Sequence, residues 1–278
     1  MNRTLLRLRS YCTSLQLKSA LLVLTLLLTS MATQANEGSS FLRDLHEFRI
    51  NNFMAVSAYY RYSATKDNSA DQEIQQAMSR SNANIGRIKI NAVNILSPDQ
   101  IAALDAQYTT FQELMRQNVS DVTEIGYPDL RLVGEMAGTA NALSNLSTEL
   151  YSAARESSQT PTSANVESAR SAAVLMAEML SRYTARSYSQ VSQIQGGGAG
   201  KPLDEQARDF DALLQQVRAG AARPELSGPL GDIESKWEFI RNSYINYNRN
   251  NVVFVIERYS RAILDELDNT VSLLQSQA

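Results

Sequence analysis

Residues 97–125 read SPDQIAALDAQYTTFQELMRQNVSDVTEI. Ile101, Leu104, Tyr108, Phe111, Met115, Asn118, Val122 and Ile125 recur in alternating steps of three and four. That period lays one narrow apolar seam along a helix, as in bundles and coiled coils. Ser97-Pro98-Asp99-Gln100 opens the stretch as a capping box, with proline at the first helical position. The stretch therefore predicts a long helix that must bury one face against partners.

The same period extends in both directions. Upstream it runs Ile74, Met78, Ser81, Ile85, Ile88, Ala92, Ile95; downstream it runs Val166, Ala169, Ala173, Met176, Leu180, Tyr183, Ser187, Gln190, Ile194. Pro98, Pro128, Pro161, Pro202, Pro224 and Pro229 read as punctuation between periodic segments, with Thr160-Pro161 and Asp232 as further helix starts. Strand alternation is absent. The β-branched run Val252–Ile256 leads into Tyr259, Ile263, Leu267, Val271 and Leu274, and so reads as helix. The expected helices are 40–65, 69–96, 98–126, 129–156, 161–195, 203–220 and 232–275, the last with a kink near Asn248–Asn251. Short connections make neighbours antiparallel, so the expected fold is all-α, an elongated antiparallel bundle of about seven helices. Gln195–Lys201 (QGGGAGK) reads as a flexible linker. It offers a division into 37–195 and 202–278, but the second piece is too one-sided to stand alone, and one domain over 36–278 is expected.

Composition narrows the function classes. The 278 residues carry formal charge −3, one Cys and one His. Arg3, Arg7, Arg9 and Lys18 precede the apolar run Ala20–Leu28, and small and polar residues follow it. This is the pattern of a secretory signal peptide, too short to span a bilayer, with cleavage expected after Ala35 or Ala32. Cys12 precedes the apolar run, so a lipid anchor is not expected. Removal of residues 1–35 leaves 22 Lys and Arg against 29 Asp and Glu, net −7, and no thiol. The expected product is periplasmic or secreted, stabilised by packing alone, with no stable membrane insertion and no nucleic-acid surface.

No reactive constellation stands out. The glycine run lacks the first glycine of a phosphate loop at Gln195 and its hydroxyl residue at Pro202. His46 is alone, which removes a triad or a His-rich zinc site, and it reads as an exposed or half-buried helix residue. Di-iron bundles need paired Glu-x-x-His motifs, which are missing. The acidic groups Asp265, Glu266, Asp268 and Asp204, Glu205, Asp209, Asp211 read as solvated faces, the second with a favourable dipole term. Gly134 and Gly138 read as close packing against a neighbouring helix. No catalytic residue, metal or cofactor is expected.

Aromatic residues beside Arg and Asn are the remaining candidates. Tyr59, Tyr60 and Tyr62 flank Arg61 at the end of the first helix. Trp237, Tyr244 and Tyr247 interleave with Arg241 and Arg249, beside an Asn242, Asn246, Asn250 stripe. Trp237, Arg241, Tyr244, Asn248, Tyr59 and Arg61 form the candidate ligand site, suited to a small anionic or amide-bearing molecule. Trp237, Ile240, Tyr244 and Tyr247 equally follow core spacing.

Two stretches resemble a known class. Ala137-Gly138-Thr139-Ala140-Asn141-Ala142-Leu143-Ser144 is similar to its A-G-x-x-x-x-L-S segment, and Phe210…Leu213-Leu214…Gly220 with Trp237, Asn248 and Asn251 is similar to its later helices. These are the periplasmic helical sensor domains of type IV pilus methyl-accepting transducers and of nitrate/nitrite sensors. The class's anion-binding Arg is replaced by Thr139, Ala140 and Asn141, so the resemblance implies a helical periplasmic module but not its ligand. The expected function is a non-enzymatic envelope bundle that binds a partner protein or small ligand, with a homodimer as one assembly. The alternatives are a ligand-sensing module feeding a signalling system, or a carboxylate-dependent hydrolase with two acids in one cleft.

Overall fold

In the computed structural model, residues 40–93, 95–157, 162–188, 201–220, 224–249 and 252–276 are described. The expected signal peptide and nearly all of the expected linker lie outside them. Eight helices and no strands occur among the described residues. They are α1 (40–65), α2 (Asn68–Asn91), α3 (Pro98–Ser120), α4 (Leu130–Ser157), α5 (Ala164–Tyr188), α6 (Leu203–Ala219), α7 (Pro224–Ile245) and α8 (Val253–Gln275). The fold is an all-α helical bundle. The longest helix among the described residues, α4, has 28 residues and extends about 42 Å at 1.5 Å per residue.

Local signals explain the boundaries. Ser97 and Gln100 form the expected capping box at α3. A π-helical turn, Asp121–Ile125, continues α3 and ends at Gly126, whose φ of 96° closes the helix in the left-handed region that glycine adopts without a Cβ clash. Ser163 caps the start of helix α5, its hydroxyl accepting from the Val166 amide; Pro161 lies outside the described residues. The expected final helix is two helices, parted by a turn through 246–249. Asp232 is inside α7 rather than at its start, paired with Lys236 one turn on. Pro229 also lies inside α7 and is not punctuation. It removes one helical hydrogen bond near the N-terminal end, where the rest of the helix sustains the turn.

The apolar seams build two cores. One is made of α1 to α4, including Leu45, Ile74, Leu104, Phe111, Met136 and Leu143. The other is made of α5 to α8, including Met176, Phe210, Ile233, Trp237, Ile263 and Leu267. The two bundles repeat one plan. From Leu104 to Val122, α3 and its π-turn bury residues in steps of 4, 3, 4, 3, 4, and from Leu226 to Tyr244, α7 does the same. Pairs such as Gln206 with Glu178 and Ser168 with Gln216 show α5 and α6 antiparallel. The bundles meet along α1 and α5, which run parallel. Phe53 packs on Val174 and Ala177, and further along Thr184 donates to Ser57. Helices α1 and α5 are thus buried on two sides, against their own bundle and against each other.

Candidate functional site

The residues singled out in the sequence do not converge on one pocket. Trp237 is 4% exposed and packs on Phe210 and Tyr244, with ring centroids 4.6 and 5.8 Å away. Its indole N–H donates to Asp211 at 2.7 Å, and Arg241 grips the same carboxylate with Nε and Nη2. Asp211 is therefore a half-buried acceptor rather than part of a solvated face. The Tyr244 hydroxyl meets Ser260 at 2.9 Å inside the second core. Asn248 is exposed in the turn after α7. Tyr59 lies in the first core and donates to Asn118 at 3.2 Å. Of these six residues Arg61 is the one that crosses between bundles, bonding Glu73 at 2.6 Å and Glu257 at 3.1 Å, and Arg261 of α8 crosses beside it to meet Glu73 at 2.6 Å. Burial pushes the Glu257 carboxyl up, against the pull of Arg61. The core spacing of the aromatic residues therefore prevails over the pocket reading, because indole and phenol groups there are enclosed and already bonded.

Gly138 also departs from expectation. It is exposed, and nothing lies within 4 Å of the position a Cβ would take. With Thr110, Leu114, Glu135 and Ala142 it lines an open groove of about 640 Å³ between α3 and α4, not a helix contact.

A different group of side chains gathers where the bundles meet. His46 and Arg49 sit one turn apart on α1, Tyr151 is near the end of α4, and Glu167 and Arg170 open α5. His46 is 3% exposed, not the exposed or half-buried residue its isolation suggested. Arg170 is 1% exposed, the largest fully buried side chain among the described residues. Its Nη1 donates to the Tyr151 hydroxyl at 2.8 Å, and that hydroxyl donates to Glu167 at 2.9 Å. The guanidinium carbons of Arg49 and Arg170 stand 5.5 and 5.9 Å from the centre of the Tyr151 ring. Such cation–π contacts are worth about 0.5–2 kcal/mol and place both cations around one phenol.

These groups are rich in donors and short of acceptors. Nε and Nη2 of Arg170, Nε of Arg49 and Nδ1 of His46 are buried with no protein hydrogen-bond partner. The near carboxylate, Glu167, stands 3.7 Å from Arg170 and 3.7 Å from Arg155. Glu178, further along α5, is held by Gln206 at 2.7 Å and by Arg182 at 3.7 Å. The electrostatic consequences are consistent. Burial, then the charges of Arg170 and Arg49, hold the His46 imidazole well below its usual range. Burial draws the Arg49 guanidinium down, opposed by Tyr151, Glu167 and Glu178. Burial pushes the Tyr151 phenol up to about 12. Chemically, the cluster gathers buried, unmatched guanidinium N–H donors around one phenol, with excess positive charge, in a medium where each unmade charged hydrogen bond is expensive.

Sequence reasoning passed over Arg49, Tyr151, Glu167 and Arg170. A signal was present. In α5, Ala169, Ala172, Ala173, Val174, Met176 and Ala177 put small or apolar residues nearly all round the helix, the mark of a central helix, and Arg170 interrupts it.

No three His, Cys, Asp or Glu side chains gather in metal-binding geometry among the described residues. No described helix is long and apolar enough to cross a membrane. No protein family, curated protein or solved structure matches the chain.

Proposed function

We propose that this protein is a non-enzymatic binding module that holds a small anion, an inorganic oxyanion or a small carboxylate, between its two helical bundles. The observation that carries this reading is Arg170, a fully buried guanidinium with Nε and Nη2 unmatched by any protein acceptor. A buried cation left in that state is strongly destabilising, and an anion accepting from Arg170, Arg49 and His46 offsets it. The cationic n-region and the apolar run Ala20–Leu28 support the reading of an exported module of the bacterial envelope. A site built jointly by α1, α4 and α5 also suits sensing, because occupancy bears on how the bundles sit together.

The test is a thermal-shift and calorimetric screen of sulfate, phosphate, nitrate and small carboxylates, with Arg170→Met and Arg49→Met as controls. The reading predicts stabilisation of the wild type of about 2.7 kcal/mol at a hundred times Kd, and loss of the effect in both variants. Absence of any binding, or equal binding by the variants, overturns it.

A protein partner is the second reading, favoured by Phe239 at 63% and Phe254 at 72% exposure near the α7–α8 turn. Envelope pull-downs with Phe239→Ser and Phe254→Ser variants test it: capture that both substitutions leave intact removes it.

A further inference from the structure

We infer that the anion is taken up together with a proton that resides on His46. This rests on the anion-site reading above and adds its regulation. His46 precedes Arg49 by three residues, so the two side chains leave the same face of α1. The ring is enclosed, and its Nδ1 faces no protein acceptor.

The charged groups around it are few. From α1 comes Arg49; from α5 come Arg170 and Glu167, with Glu178 beyond them; from α4 come Arg155 and the Tyr151 phenol, which stays neutral at ordinary pH. The other acids of this stretch, Asp44 and Glu47, are paired with α2, where Arg87 and Asn84 hold them, Asp44 through Oδ1 while its Oδ2 is buried and unmatched.

Without an anion, the charges of Arg170 and Arg49 give the ring a net positive neighbourhood, and a second proton on it is repelled. A divalent oxyanion held by Arg49 and Arg170 reverses that sign. It also supplies an acceptor for Nδ1–H. Both changes favour the imidazolium, which then donates a charge-assisted hydrogen bond to the anion. No bond is made or broken apart from the transfer of one proton from solvent to the ring. A histidine whose charge follows occupancy makes the site's affinity respond to pH in the range where imidazole titrates.

Sulfate is the probe, because it remains divalent across that range and any pH dependence belongs to the protein. Calorimetric titration of the mature protein in buffers of different ionisation enthalpy counts the protons taken up. The expected result is net proton uptake on binding, with affinity rising as pH falls from about 8 to about 5.5, by at most about tenfold per pH unit for one coupled proton. His46→Gln keeps an amide donor on α1 but no titrating group, and should bind sulfate more weakly, with no uptake and a flat pH profile. Binding by the wild type without proton uptake, or uptake that persists in His46→Gln, overturns the proton coupling and leaves the anion site standing. Failure of the wild type to bind sulfate at all overturns the anion site, and the coupling with it.

Discussion

Arg170 donates from Nη1 to the hydroxyl oxygen of Tyr151 across 2.8 Å, from the first helix of one bundle to the last helix of the other. The rest of that guanidinium has no comparable partner: Nε and Nη2 are buried and unmatched. A group kept for stability alone would be better served by an apolar side chain of similar volume.

Arg170→Met is therefore expected to leave the protein about as stable as the wild type, because Glu167 keeps Arg155 and Tyr151 as partners, measured by urea denaturation without added anions. Tyr151 keeps its bond to Glu167 in the variant. A loss of several kcal/mol would assign Arg170 a structural role instead.

Trp237 provides a check on the aromatic pocket read from the sequence. It is enclosed by Phe210 and Tyr244 and bonded to Asp211, within the second core. Trp237→Ala is expected to destabilise by about 3–5 kcal/mol through lost burial and a residual cavity. In the wild type its fluorescence should not shift when anions are added, and a clear shift on binding would return Trp237 to the site.

The buried His46 fixes the sign of one pH effect. Its folded pKa lies below the ordinary 6.5, so below about pH 6.5 the unfolded chain binds more protons than the folded one. Stability from this group is present at higher pH and is lost as pH falls through that window. Glu257 acts in the opposite sense from about 4.5 upward, because its folded pKa is raised. The difference between wild type and His46→Gln isolates the histidine: on acidification the wild type should lose more stability than the variant in urea titrations, and parallel curves would contradict the assignment.

Arg61 ties α1 to Glu73 of α2 and Glu257 of α8, with its own side chain 16% and that of Glu257 5% exposed. Removing it takes from the buried Glu257 carboxylate its direct ion-pair partner, leaving the more distant charge of Arg261 and the Tyr188 hydroxyl. Arg61→Met should cost about 3–5 kcal/mol, and Arg61→Met with Glu257→Gln should recover most of that, because the uncompensated charge is gone. Additive losses in the double variant would show that the pair is not the relevant unit.

Much of this fold could be read from spacing. Leu104, Tyr108, Phe111, Met115, Asn118 and Val122 are all buried, as are Val166, Ala169, Ala173, Met176, Leu180 and Tyr183. The polar seam members Ser81 and Asn118 are buried too, donating to the Asn52 side chain and to the Leu132 carbonyl. Ile125, at the end of its series, is 57% exposed, since the π-turn shifts the helical phase just before it. The division into two bundles was harder to see. A three–four seam is the same whether a helix faces three partners or five, and only the wider buried faces of α1 and α5 mark them as shared. The site followed from that omission. Trp237 and Tyr244 drew attention by residue type, yet spacing made them core. Arg49 and Arg170 look like surface residues until the second bundle is placed against the first.

The most direct test is the titration of sulfate into the wild-type protein and into Arg170→Met at near-neutral pH, read by calorimetry. The account predicts saturable binding of one sulfate per chain by the wild type and none by the variant. Binding of equal strength by both, or by neither, would contradict it.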